Sequence, residues 1–313
     1  MLRYAIRRLA TGILIIILST VILFVLLQVL PGGDPINLIT NPMVTDEVKE
    51  EMRARWGLDK PAPVRFFVWA SNLIKGDLGV SITMNEPVAS LIAQRLPYTL
   101  MLMLPAMFLS YVISVPLGLI TAYKKSTFVD KGIVTLSLIL YSIPNFILGV
   151  FLIRFFSIQL KWLPISGFSN AASLVLPVTV LVVIEVASIL RLVRSEVLEV
   201  TSSRFVETAY AKGLSTSQVL FRHVLRNSLI PVTIRIFLQL PGLITGAVII
   251  EVLFALPGMG SLVLSAVMGH DYPVVQGIFL IIAVLTTVCN VLGELAAAAL
   301  DPRVKLSMKG GRA

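Results

Sequence analysis

Residues Tyr272 to Gly293 read YPVVQGIFLIIAVLTTVCNVLG, without one charged side chain. At 1.5 Å per residue, such a run wound into a helix crosses the roughly 30 Å of a bilayer's hydrocarbon core. Leu9–Gly33, Leu96–Tyr123 and Gly132–Ile153 read the same way. Two further apolar stretches are interrupted by charge: one carries Glu185, the other Arg235 and Glu251. The expected architecture is all-α and polytopic. Its six transmembrane helices are placed near 9–30, 97–122, 132–156, 174–194, 229–253 and 274–299.

Composition agrees. Hydrophobic residues make up 57% of the 313-residue chain and charged residues 14%, where a soluble domain carries about 25% charged. The net charge of +9 is unevenly distributed. Arg3, Arg7 and Arg8, then Lys124, Lys125 and Lys131, cluster at alternate ends of the apolar runs. So do the six basic residues between Arg191 and Arg226, and Arg303, Lys305, Lys309 and Arg312. The short segments on the opposite side, near 157–173 and 254–273, hold only Lys161. The positive-inside rule then predicts that both termini are cytoplasmic. The basic balance reports orientation and anionic lipid rather than nucleic acid. The first apolar run is longer than a signal peptide's and lacks a small-x-small cleavage site, so it reads as a retained span. Cys289 stands alone, which leaves no intrachain disulfide and no thiolate metal cluster.

The chain divides by this reading into 1–30, the N-terminus and first span; 31–96, an external loop domain; 97–300, the transmembrane core; and 301–313, a cytoplasmic tail. In the external segment, Thr45 or Asp46 caps a short polar helix. Val64–Ile74 suits a helix lying along the membrane face. Gly76–Ser81 is a turn, and Pro97 falls near the first turn of the second span.

The cytoplasmic segment at about 195–228 is more specific. Ser202–Lys212 can form a short amphipathic helix that Gly213 stops in a left-handed conformation. Ser215 and Gln218 then have the spacing of a capping box, which starts a second helix. Two roles fit this helix–bend–helix: a linker resting on lipid, or a docking element for a partner. Within the membrane, charge is costly. Glu185 lies midway along the fourth span and is a candidate pathway or partner-facing group, or a structural carboxyl. Arg235 is expected to snorkel to the cytoplasmic face. Glu251 is expected to be solvated near a span end. His270-Asp271 reads as loop-structuring.

Glu207-Thr208-Ala209-Tyr210-Ala211-Lys212-Gly213-Leu214, followed by His223 to Pro231, resembles the EAA loop of ABC-importer permeases. The variant is that of the dipeptide, oligopeptide and nickel permeases. Similar matches include Leu30–Pro35, Gly76–Ser81, Leu96–Leu100, Ser142–Phe146, Leu163–Gly167, Glu251–Gly260, Asp271–Gly277 and Ala299–Arg303. The long first external segment is like that of the B-type permease, and Thr208 departs from the alanine of the namesake pattern. The resemblance implies a type I ABC-importer permease in the cytoplasmic membrane, importing peptides or, alternatively, nickel, a metal chelate or glutathione. It implies coupling to the ATPase through Glu207, Ala209, Tyr210, Ala211, Lys212, Gly213 and Leu214. Glu185, Asn145 and Glu251 are candidates for the pathway or an interface. The implied partners are a second related permease, two ATPase subunits and an extracytoplasmic solute-binding protein. ATP and Mg would sit on those ATPases, since this chain has no phosphate loop and thus no expected cofactor, metal site or catalytic residue. A membrane-embedded enzyme would need a convergent nucleophile and base or an H-E-x-x-H pair, and the sequence offers neither. A lone channel or secondary transporter would work without ATP, which the EAA-like loop argues against.

Overall fold

Charge-free runs of this length satisfy every backbone donor and acceptor internally only as helices. The computed structural model describes residues 2–29, 36 and 45–300, and over them the chain is helical. The Leu30–Pro35 motif and the tail from 301 lie outside those residues. In chain order the helices are α1 (Leu2–Val29), α2 (Asp46–Trp56), α3 (Ala62–Ile74), α4 (Val88–Tyr123) and α5 (Phe128–Ser142). They continue as α6 (Asn145–Leu152), α7 (Val175–Thr201), α8 (Arg204–Ala211), α9 (Leu225–Leu253), α10 (Met259–Met268) and α11 (Tyr272–Leu300). Four of them, α1, α4, α7 and α11, are long and apolar enough to cross a membrane unaided. Two bent pairs raise the number to six.

The first bent pair corrects the third span, expected as one helix over 132–156. Pro144 disfavours helical backbone in the residue before it. Ile143 is accordingly extended (φ −79°, ψ 123°), α5 ends at Ser142, and Pro144 starts α6 as its N-cap residue. The two arms meet at 94°. The α6 arm runs on through a π-helical turn, Ile153–Gln159. Pro97 is also placed differently from expectation. Pro87 begins α4, its carbonyl accepting from the amides of Ser90 and Leu91, so Pro97 falls inside the helix. The second bent pair is the fifth span, which turns by 55° between Gly242 and Ala247.

The chain forms two compact units. One runs up to Thr99 and takes in Pro257–Val288. Its segment between α3 and α4 is fastened by Asp271, only 1% exposed. That carboxylate accepts from the hydroxyls of Ser81 (2.5 Å) and Thr83 (2.7 Å) and from the amides of Ile82 (3.2 Å) and Thr83 (3.1 Å). The expected loop-structuring role of this residue is what the geometry shows. Gly277 lets the start of α11 approach Val88 closely: a Cβ there would meet the valine at 2.6 Å. On α1, Ile13, Leu14, Ile15, Ile17 and Leu18 are more than half exposed, an apolar face suited to lipid or another helix.

The other unit runs from Leu100 to Leu256 and resumes at Cys289. Here α5, α6 and α9 pack on α7. One apolar cluster joins Leu102, Val180, Ala247, Ile250 and Phe254. A second gathers Ile189, Val193 and Val197 of α7 with Val206, Ala209, Val219 and Val224 of the basic segment.

Candidate functional site

Two features of the second unit bear on function. The first is the basic segment. α8 spans only Arg204–Ala211, too short to persist alone in water. Val206 and Ala209, three apart and therefore on one face, bury it in the second apolar cluster. Gly213 is in the left-handed region (φ +80°) and stops it. The amide of Gly213 donates to the carbonyl of Tyr210 (2.9 Å), and that of Leu214 to Ala209 (3.3 Å). This pair of bonds is a Schellman stop, and Leu214 completes it by packing on the same cluster. The chain restarts at Ser215, whose hydroxyl accepts from the amide of Gln218 (3.4 Å) while the Gln218 side chain accepts from the amide of Ser215 (3.1 Å). The capping box expected from the sequence is formed. A helical turn (Thr216–Gln218) and a π-helical turn (Val219–Val224) carry the backbone into α9. Helical conformation thus continues from the cap into the fifth span.

The opposite face of α8 is open. Glu207, Thr208, Ala211, Lys212 and Gly213 are exposed, and Phe205 and Tyr210 each keep 45% of their surface accessible. Phe221 beyond the bend is 59% exposed. Of the sequence-predicted coupling residues, Ala209 and Leu214 thus anchor the element, while Glu207, Tyr210, Ala211, Lys212 and Gly213 form its outer surface.

The base of this element is clamped. Arg194, near the end of α7, donates from Nε to Asp130 Oδ1 and from Nη2 to Oδ2, both at 2.9 Å. Asp130 also accepts from the amide of Ser126 (2.9 Å). Such a bidentate pair fixes direction as well as distance. It ties the first turn of α5 to the fourth span.

The second feature is a cavity of about 420 Å³ among α4, α6, α7 and α9. Met103, Met107, Leu181 and Leu238 supply apolar wall, and Asn145, Glu185, Arg235 and Gln239 supply polar groups. Glu185 accepts a hydrogen bond from the Gln239 amide nitrogen. The Tyr111 hydroxyl donates to the other end of that amide (3.1 Å) and so fixes its orientation. Arg235 donates to the Ser188 hydroxyl (2.8 Å).

The cavity brings Glu185 and Asn145 together, as two of the three residues expected near a pathway or interface. Glu251 is not among its lining residues. It is 1% exposed at the end of α9, which corrects its expected solvation: the last turn of the helix packs inward beside Ile250 and Phe254. Arg235 is corrected too. Its guanidinium turns inward to Ser188 instead of snorkelling, because the fourth span offers an acceptor one turn from Glu185. Tyr111 and Gln239 went unnoticed in the sequence. The available signal was spacing: Glu185 and Ser188 are three apart, Arg235 and Gln239 four apart, so each pair shares a helix face.

With this geometry in hand, likeness to known proteins is informative. Residues 114–306 match the family described as binding-protein-dependent transport system inner membrane component, and residues 1–103 match its N-terminal companion. A probable peptide ABC transporter permease of Sinorhizobium fredii is 36% identical over 310 residues, covering 96% of this chain and 99% of that protein. An oligopeptide transport system permease of Bacillus subtilis is 36% identical, covering 97% of this chain and all of its own length. A putative peptide permease of Brucella suis is 38% identical, covering 98% of this chain and all of its own. Among solved structures, a chain of the inward-facing MetNI methionine ABC transporter superposes with a TM-score of 0.58 at 20% identity, covering 70% of this chain and 100% of that one. That superposition speaks for the fold. The chain belongs to the family of binding-protein-dependent transport system inner membrane components.

Proposed function

We propose that this chain is the membrane-spanning permease of an ATP-driven importer that carries peptides into the cytoplasm, and that Arg204–Leu214 is where an ATPase grips it. The peptide assignment follows from what the similar permeases are named for. The coupling assignment rests on one observation: a short helix with a buried inner face and an open aromatic outer face, joined at Thr201 to the fourth span and at Ser215 to the fifth. An ATPase seated on Phe205 and Tyr210 would move that helix as a rigid body. The apolar anchor, which takes in Val193 and Val232, would pass the motion to both spans, and the Asp130–Arg194 clamp would carry it on to α5. The driving quantity is the difference in contact between the two ATPase states, not contact itself. The chain hydrolyses nothing in this scheme. ATP and Mg belong to two ATPase subunits, a second permease completes the path, and a solute-binding protein delivers the cargo.

The test is uptake of radiolabelled dialanine into proteoliposomes holding the complete transporter, with ATP inside and binding protein outside. The expected result is ATP-dependent accumulation that Phe205→Ala/Tyr210→Ala abolishes, together with loss of ATPase co-purification. Accumulation of nickel or glutathione in place of peptide would redirect the substrate. Uptake that persists without ATPase subunits would end the importer reading. Cysteine labelling at 213 from the cytoplasmic side only is the matching topological result.

A further inference from the structure

The cavity in the second unit holds an acid and a base that close no direct ion pair among the described residues. Glu185 and Arg235 both line it. Yet the described partner of Glu185 is the neutral amide of Gln239, and those of Arg235 are the neutral hydroxyls of Ser188 and Tyr111. The Nε of Arg235 is buried and has no acceptor among the described residues. Elsewhere the same unit shows what a structural ion pair in this chain looks like: Asp130 and Arg194 close on each other bidentately at 2.9 Å. Charge within a bilayer-spanning helix is costly, and where it persists it points to a functional site.

We propose that this cavity is a transit-binding site for a short peptide with free ends, Glu185 taking the α-ammonium and Arg235 the α-carboxylate. The inference rests on the peptide-importer reading and goes further, to a site on the permease itself. Arg235 and Gln239 are four residues apart on α9, so the base and the residue that holds Glu185 lie on one helix face, their Cβ atoms about 5–6 Å apart. A dipeptide's extended backbone spans about 7 Å at most. The size of the cavity, about 420 Å³, is that of a small-ligand pocket. Its walls suit varied side chains. Met103 and Met107 are unbranched and adaptable, and Leu181 and Leu238 are apolar without directional demands. The fixed polar ends would therefore read what all peptides share, while the walls tolerate what differs. The Tyr111–Gln239 bond holds the amide with its nitrogen on one carboxylate oxygen of Glu185, and no hydrogen bond among the described residues takes the other.

The experiment uses the complete transporter in proteoliposomes, with each peptide presented on saturating, preloaded binding protein. The probes are dialanine, its C-terminal amide and its N-acetyl form. Co-purification with the partner permease and ATPases checks assembly. The parent should take up dialanine at least about tenfold faster than either blocked form, as expected when one charge-assisted contact worth about 1.4 kcal/mol is lost. Arg235→Gln should bring the dialanine-to-amide ratio close to one while leaving the N-acetyl ratio intact. Glu185→Gln should do the converse. An unchanged ratio in either assembled variant overturns the proposal. If Arg235→Gln fails to assemble, the isosteric Glu185→Gln arm decides alone. A parent that takes up no peptide at all sinks the underlying substrate reading instead, and the two failures are distinct.

Discussion

Asp271 and Glu185 are both carboxylates in this helical protein, and they are handled in opposite ways. Asp271 is packed away from solvent and collects four hydrogen bonds from three consecutive residues, Ser81, Ile82 and Thr83. Glu185 lines an open cavity and takes one bond from an amide, with a guanidinium nearby that bonds elsewhere. The first arrangement spends a charge on fixing a loop to the start of the last span. The second keeps a charge available. Satisfaction, more than burial, separates the structural carboxylate from the candidate ligand contact.

The sharpest break in that comparison is Asp271→Ala. It removes the acceptor from four donors, among them the fully buried Ser81 hydroxyl, and a loss of about 3–5 kcal/mol is expected. Thermal unfolding of the detergent-purified chain measures it, and a loss under about 1 kcal/mol would mean that the knot is ornamental. Asp130→Ala comes next, at about 2–3 kcal/mol, because it strands Arg194, whose side chain keeps 27% of its surface accessible and so recovers some hydration. Removing Arg194 as well should cost less than the two single changes added together, and strict additivity would show that the clamp is not a coupled pair.

Gly213→Val should cost about 1–2 kcal/mol locally, the penalty of a left-handed backbone for a side-chain-bearing residue. A Cβ there meets nothing within 4 Å, so crowding is not the cause. Peptide-stimulated ATPase activity should fall while the chain still inserts, and Gly213→Asn should restore much of it, since asparagine tolerates this conformation. Full stimulated activity in the valine variant would detach the bend from coupling. The smallest stability effect belongs to Glu185→Gln. Replacing a sparsely satisfied carboxylate by its amide should leave the unfolding free energy within about 0.5 kcal/mol of the parent's, or raise it. A loss as large as that of Asp271→Ala would erase the distinction between the two sites.

Much of this architecture follows from rules that act over a few residues. A charge-free run must be helical in lipid, so the spans are legible from composition. Gly213 as a stop and Ser215 with Gln218 as a restart are equally local, and they define the candidate coupling element. Pro144 was visible too, but uninterrupted apolarity from Gly132 to Ile153 hides a bend that keeps both arms apolar. Arg235 misled for a different reason. Snorkelling and inward pairing are both open to a long cation near a span end, and the choice depends on Ser188 of a neighbouring helix. The cavity depends on packing among α4, α6, α7 and α9, and a single sequence does not show which helix faces meet.

The cross-helix pairing has a consequence for how the protein is made. Glu185 sits on α7 and Arg235 on α9, and each finds its partner on the other helix. A charge near the middle of a lone span adds about 2.5–3.5 kcal/mol to its insertion. The apolar residues of α7 can carry that cost in a lone span, but each helix lowers it for the other by offering a polar partner once both are present. The two are therefore expected to leave the translocation machinery as a helical hairpin, with the fourth span waiting for the fifth. In a glycosylation-tag insertion assay, chains ending near residue 205 should integrate α7 less completely than chains extending past residue 255, and equal integration would show that the spans enter one at a time.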